Sequence, residues 1–410
     1  MFRLPLLFIA TGMISFILYH ALSLFTLGAW MIEPIRSPDG WFRAHLLILD
    51  WATMIAMGAV YQLMDVVLQR RIYSVKLGYL HYVGFTLGTI LLLAGFASVN
   101  VPLLAAGAVL TLLGIGLFVG NVGVTILQAR QWNAVTISTA CALVYLLLTA
   151  VIGTVMGLNF AFPIWLEGHD RLLAAHIWMG LIGWFGLLIT GFSYKMLPMF
   201  YLAHGHSTRL QGYIIVLINL GVIAGAETFL LGGGGGPQAV SIGFLVLAFG
   251  LYGAFMTEVG KHRHKRNPGL GIWWTVHAAR AMLIFGLLVL FSWLAFPEAY
   301  AQHHTTLIIG MAYLGGWVSL TILGYLSKIV PFLWWTHKYG PRAGHPDVPV
   351  MSSLISERSI SYGLGGIASG VVLSVIGLFS GIEWCVEVGG TATSVSSLFY
   401  IGLIARVFTK

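Results

Sequence analysis

Long apolar runs separated by short polar breaks set the pattern of this chain from end to end. A run of about 18 or more apolar residues is long enough to cross the hydrocarbon core of a bilayer as a helix. Read this way, the pattern predicts twelve spans, near residues 4–29, 44–68, 77–99, 101–127, 133–159, 172–198, 210–231, 238–258, 271–296, 304–333, 358–381 and 384–407. The first run, from Met1 to Trp30, is long enough to be a permanent span, and no small-residue cleavage site follows it. The Gly232–Gly236 stretch before Pro237 reads as a flexible turn between spans 7 and 8.

Composition sharpens the class. Of 410 residues, 58% are hydrophobic and 8% are charged, whereas a soluble domain carries about 25% charged residues. The chain has too little polar surface to face water all round. Its two cysteines, Cys141 and Cys385, exclude a disulfide framework, a cysteine-rich zinc site and a Cys-x-x-Cys-His heme attachment. The formal charge of +8 is distributed as an orientation signal and predicts no nucleic-acid partner. Arg70, Arg71, Lys76, Arg130, Lys195, Arg209, Lys261, Arg263, Lys265, Arg266, Lys338 and Arg342 fall in or beside the even loops, with Arg3 and Lys410 at the termini. Glu33, Asp39, Glu167, Asp170, Glu298, Glu383 and Glu387 fall in or beside the odd ones. Both termini are therefore expected to be cytoplasmic, with the protein integral to a membrane, expected to be the bacterial cytoplasmic membrane, and with the lipid bilayer as its first partner.

An internal repeat is the most informative feature. Trp51, Trp184 and Trp317 are separated by 133 residues in both steps. Seven residues later stand Gly58, Gly191 and Gly324, and fourteen later Asp65, Pro198 and Pro331. Four spans fall in each repeat, giving units of about 1–130, 131–266 and 267–410 within a single polytopic membrane domain. The expected fold is an all-α integral membrane protein with its twelve helices in three four-helix arcs of pseudo-threefold symmetry. The recurring glycines permit close helix approach in lipid.

Ionisable residues inside a bilayer are costly and tend to mark function. His20, His45, His176, Glu227, His303 and His304 are all placed toward the non-cytoplasmic leaflet by the topology, with Asp50 close by. His45 and His176, near the outer ends of sister spans, are expected to correspond. Imidazole suits iron, copper and zinc, and a heme needs only one or two axial side chains from facing helices. Asp65 and Tyr61, at the inner end of span 2, suggest the start of a proton path toward Asp50. His81 and His277 read as core histidines, and His204, His206, His262 and His264 as loop residues on the cytoplasmic side.

The run His176-x-Trp-x-Gly-x-x-Gly-Trp184, followed by Gly191, Tyr194 and Pro198, resembles the ligand helix of the C-type (cbb-class) heme–copper oxidase catalytic subunit. Twelve spans in three arcs of four also look like that superfamily, and the length is closer to its short NnrS-like heme–copper membrane relatives. The resemblance implies heme b, with copper or another non-heme metal as a further cofactor, and a redox partner protein. It matches His45 with the low-spin heme ligand of the second helix and His176 with a copper ligand of the sixth. The two ligand places of the tenth helix fall on Ile309 and Met311, so Met311 is left to pair with His45 through sulfur. Glu227 and His176, with His303 and His304 nearer the surface, form the alternative non-heme metal set. Span 7 lacks the paired copper histidines of the oxidases. If the protein is an enzyme the resemblance implies an oxidoreductase, and terminal oxidase activity is not expected.

The leading expectation is thus a heme-binding membrane protein serving heme or metal handling, nitric oxide response or electron transfer. The alternative is a transporter for a metal ion or small solute that uses His45, Asp50, His176 and Glu227. A non-catalytic scaffold within a respiratory complex is a third.

Overall fold

Spans 2, 3, 4, 5 and 11 begin where a polar side chain satisfies backbone donors of the first helical turn. Ser37 accepts from Gly40 N–H, Ser74 from Leu77, Asn100 from Leu103 and Ser356 from Ser359. Asn133 and Thr136 form a reciprocal capping box. Helices stop at Gly232 and Gly381, whose φ angles of 69° and 70° are left-handed. The computed structural model describes residues 2–26, 36–68, 70–165, 167–233, 235–301 and 303–410. Trp30, Glu33 and Gly234, named above, lie outside the described residues, as does the side chain of His303.

The chain is an all-helical integral membrane protein. Among the described residues twelve helices are long and apolar enough to cross a bilayer: Arg3–Phe25, Pro38–Asp65, Val75–Ala97, Val101–Ala129, Ala134–Ala161, His169–Tyr201, Arg209–Leu231, Gly235–Lys261, Leu270–Ala295, His304–Lys338, Glu357–Ser380 and Glu383–Thr409. They are called spans 1 to 12 here. Among the described residues the extended structure is one isolated antiparallel bridge, Ala203 to Arg263. The chain divides into two compact units. Residues 1–59, 266–282 and 298–410 make the first, and 60–265 with 283–297 the second.

The repeat is written into the backbone. Spans 2, 6 and 10 each contain eight residues of π-helix, at Leu46–Thr53, Met179–Gly186 and Ala312–Ser319. Their start points are again 133 residues apart. In the first, Met54 N–H reaches back five residues to the Leu49 carbonyl. Trp51, Trp184 and Trp317 take the sixth place of each segment, and each is 1% exposed. The glycine seven residues on packs in every case against the first span of its own repeat. A Cβ on Gly58 would lie 2.8 Å from Phe8 Cβ, one on Gly191 2.7 Å from Ser138 Cβ, and one on Gly324 2.3 Å from Thr275 Oγ1.

The last two spans of the first and third repeats share a second signature, which spacing in the sequence hides. Gly88 meets Thr111, Gly95 meets Leu104 and Gly107 meets Leu92 across the hairpin of spans 3 and 4. Gly370 meets Thr393, Gly377 meets Val386 and Gly389 meets Ser374 across the hairpin of spans 11 and 12. Every one of those six residues lies 282 places after its counterpart, sixteen more than two repeats. The excess accounts for the long segment between spans 10 and 11, which contains the short helices Gly340–Arg342 and Met351–Leu354. It is pinned by Trp335 Nε1 donating to the Pro349 carbonyl at 2.7 Å and by Lys410 Nζ donating to that of Leu354 at 2.9 Å.

Candidate functional site

The π-segments fix which side chains correspond. The residue preceding each segment is His45, Trp178 and Met311. His45 and Met311 therefore occupy the same place in sister spans, and both belong to the first unit. The expected correspondence of His45 with His176 does not hold. His176 sits three residues before its π-segment and His45 one, a difference that turns a side chain by about 200° on a helix.

Both histidines are nevertheless oriented. His45 is half-buried, and its Nδ1 lies 2.7 Å from the Trp41 carbonyl of the preceding turn. A carbonyl only accepts, so Nδ1 carries the proton and the ring's lone pair is on Nε2. His176 is half-buried, with Nδ1 2.8 Å from the Thr149 carbonyl of span 5. Its ring lies over Gly153, where a Cβ would stand 2.8 Å from Cε1. His176 is thus seated in the interface of spans 5 and 6.

Around Trp51 the first unit holds a buried aromatic group. Phe16 stacks on Trp51 at 4.3 Å, and His20 meets Phe16 edge-on at 4.4 Å. His20 Nδ1 is 3.1 Å from Ser394 Oγ, which joins span 1 to span 12. Asp50 is 5% exposed, immediately before Trp51 in the π-segment. Met311 is half-buried, and the neighbouring Gly310 and Gly316 border open space where a Cβ would point.

In the second unit Tyr61 and His81 are each 0% exposed, and Tyr61 Oη is 3.0 Å from His81 Nδ1. Phe118 lies against both rings, and its edge meets Trp184 of the second π-segment at 6.3 Å. His81 reads from sequence as a core histidine bonded to a neighbouring helix, but nothing in the spacing names Tyr61 of span 2 as its partner. Asp65 is half-buried, one turn beyond Tyr61 on the same helix.

The proposed non-heme metal set does not assemble. Glu227 and His304 are exposed. Among the described residues no group of three His, Cys, Asp or Glu side chains converges on one point. The reason is helical phase: Glu227 lies on the outward face of span 7, whereas Gly225, two residues earlier, is packed on Trp178.

A cryo-EM structure of a heme–copper terminal oxidase dimer, reported for its catalytic mechanism, has the same fold. It matches with a TM-score of 0.74 over 99% of this chain and 84% of that chain, at 11% sequence identity. No protein-family model and no curated protein sequence matches the chain.

Proposed function

We propose that this membrane protein, built on the heme–copper oxidase fold, binds heme b, with His45 as one axial ligand and Met311 as the other. The observation that carries the reading is the place of His45. It immediately precedes the π-segment of span 2, at the position that Met311 takes in span 10 of the same unit. Local π-helix inside a long helix is uncommon and frequent at functional sites. The Trp41 carbonyl holds Nδ1 protonated, the hydrogen bond by which ligating histidines are oriented to present Nε2. Gly310, the neighbour of Met311 in the chain, borders open space, which leaves room for a flat macrocycle.

Bound heme supplies a one-electron couple, and a His/Met ligand pair places such a couple at relatively high potential. The protein's own part is to hold the two side chains, exclude water through the buried aromatic groups, and carry protons. Asp65, Tyr61 and His81 offer a short inner route for the last of these. The role this reading supports is electron transfer, or heme or nitric oxide handling in the manner of short NnrS-like relatives, with a redox protein as partner.

The test is an absorption spectrum of protein purified in detergent from heme-replete cells. A Soret band is expected, reduced to a small residue in His45→Ala. Met311→His should retain heme with a lowered midpoint potential. A colourless, monodisperse wild-type protein would sink the reading, and solute uptake by it in proteoliposomes would establish transport in its place.

A further inference from the structure

Two short loops of the second unit, one after span 6 and one after span 8, are tied together. Ala203 and Arg263 form the antiparallel bridge, and Lys265 N–H donates to the Tyr201 carbonyl at 3.0 Å. The first loop is set by its backbone. Ala203 N–H bonds back to the Pro198 carbonyl at 2.8 Å, and Leu202 and Gly205 have φ of 49° and 71°. Each loop carries two histidines in an i, i+2 pair: His204 and His206, His262 and His264. The bridge brings the pairs together, and the His204 and His264 ring centroids stand 5.8 Å apart with planes tilted by 41°.

That spacing has a chemical meaning. Two imidazoles bound to one tetrahedral ion at about 2.0–2.1 Å hold their centroids roughly 5 to 6 Å apart. His206 is half-buried beside Phe255, and its Nδ1 is buried with no hydrogen-bond partner among the described residues. His262 Nδ1 lies 3.0 Å from the Glu258 carbonyl and 3.3 Å from its Oε1. This carbonyl-and-carboxylate support is what orients metal-binding imidazoles, leaving Nε2 to coordinate.

We propose that the bridged loops form a binding site for one late first-row transition-metal ion, with His204 and His264 as its first two ligands and His206 as the third. His262, held by Glu258, either completes the tetrahedron or leaves its place to water. No three of these side chains already converge in the described structure, so binding requires side-chain rotation on a fixed backbone. Lys261, Arg263 and Lys265 flank the second pair in the chain. Their charge opposes a divalent cation, so the site suits reversible loading better than permanent structural metal. Its residues belong to the second unit, and His45 and Met311 of the heme reading to the first.

The experiment uses full-length protein, carried on an affinity tag without histidine and stripped with chelator. Zn2+ is the probe, in equilibrium dialysis. The wild type is expected to take up one Zn2+ more than His204→Ala/His264→Ala and more than His206→Ala, with the Soret band unchanged in each. Glu258→Gln, which keeps size and helix, is expected to weaken binding by about 10- to 100-fold. Variants are compared only as monodisperse proteins. Equal uptake by the wild type and the double variant overturns the proposal, as does a wild type that takes up none.

Discussion

The proton on a single imidazole nitrogen decides what His45 can do. With Nδ1 committed to the Trp41 carbonyl the ring presents its lone pair at Nε2, and neither fact is visible in the run of letters around it. His176 shares that tautomer but is packed on Gly153, so the same residue type has a different neighbourhood. Glycine shows the same dependence on surroundings. A Cβ at Gly107 would stand 2.3 Å from the Leu92 backbone nitrogen, whereas Gly116, about two and a half turns on, meets nothing within 4 Å. Gly107→Ala should therefore cost about 1–3 kcal/mol through forced backbone separation. Gly116→Ala should be neutral or stabilise by up to about 1 kcal/mol through helix propensity. Thermal unfolding midpoints of the two variants in the same detergent check this, and equal midpoints would contradict the packing. Both glycines lie in span 4 and look alike in the sequence; only the position of span 3 separates them.

Among the elements, the three π-segments carry the most information. Their phase sets His45 and Met311 at one register and moves His176 off it. Inserting one residue after Ala52, where the widened segment already holds its extra residue, would turn His45 by about 100° relative to the rest of span 2. On the heme reading, the purified variant is expected to lose most of its Soret absorbance while its elution profile is retained. Full retention of the band would argue against a role for the π-segment in aiming the ligand. The segment between spans 10 and 11 offers a second check. Its hold on span 10 includes the Trp335 indole, so Trp335→Phe should speed proteolysis within residues 340–350 severalfold and leave the spans intact. The span limits themselves were legible, because hydrophobic length and polar caps are local properties. The π character was not: the letters of Leu46–Thr53 are compatible with ordinary α-helix, and the extra residue per turn is a response to neighbours. The sixteen-residue excess in the third repeat masked the glycine correspondence of the two hairpins in the same way, since a fixed 133-residue comparison steps past it.

For the whole molecule, charge placement gives an orientation that can be measured. Bases cluster in the even loops and acids in the odd ones, so both termini are expected on the cytoplasmic side. In a background lacking Cys141 and Cys385, Ser98→Cys in the exposed turn after span 3 should react with a membrane-impermeant maleimide on intact cells. Ser207→Cys, exposed in the loop after span 6, should react only after permeabilisation. The reverse pattern would invert the topology and place the paired histidine loops outside. The membrane fold was legible because the whole chain obeys one solvent constraint, and the fold likeness over 99% of the chain agrees with it.

The sequence alone determined that this is a helical membrane protein with twelve spans in three sister groups, because span length, charge sidedness and the 133-residue period are properties of the chain read in order. Tertiary structure alone decided which polar residues act together. It paired Tyr61 with His81, turned Glu227 outward and joined the loops of His204 and His264. The physical reason is that a helix places side chains 100° apart, so one residue of phase, or one neighbouring backbone, determines whether two ligands meet.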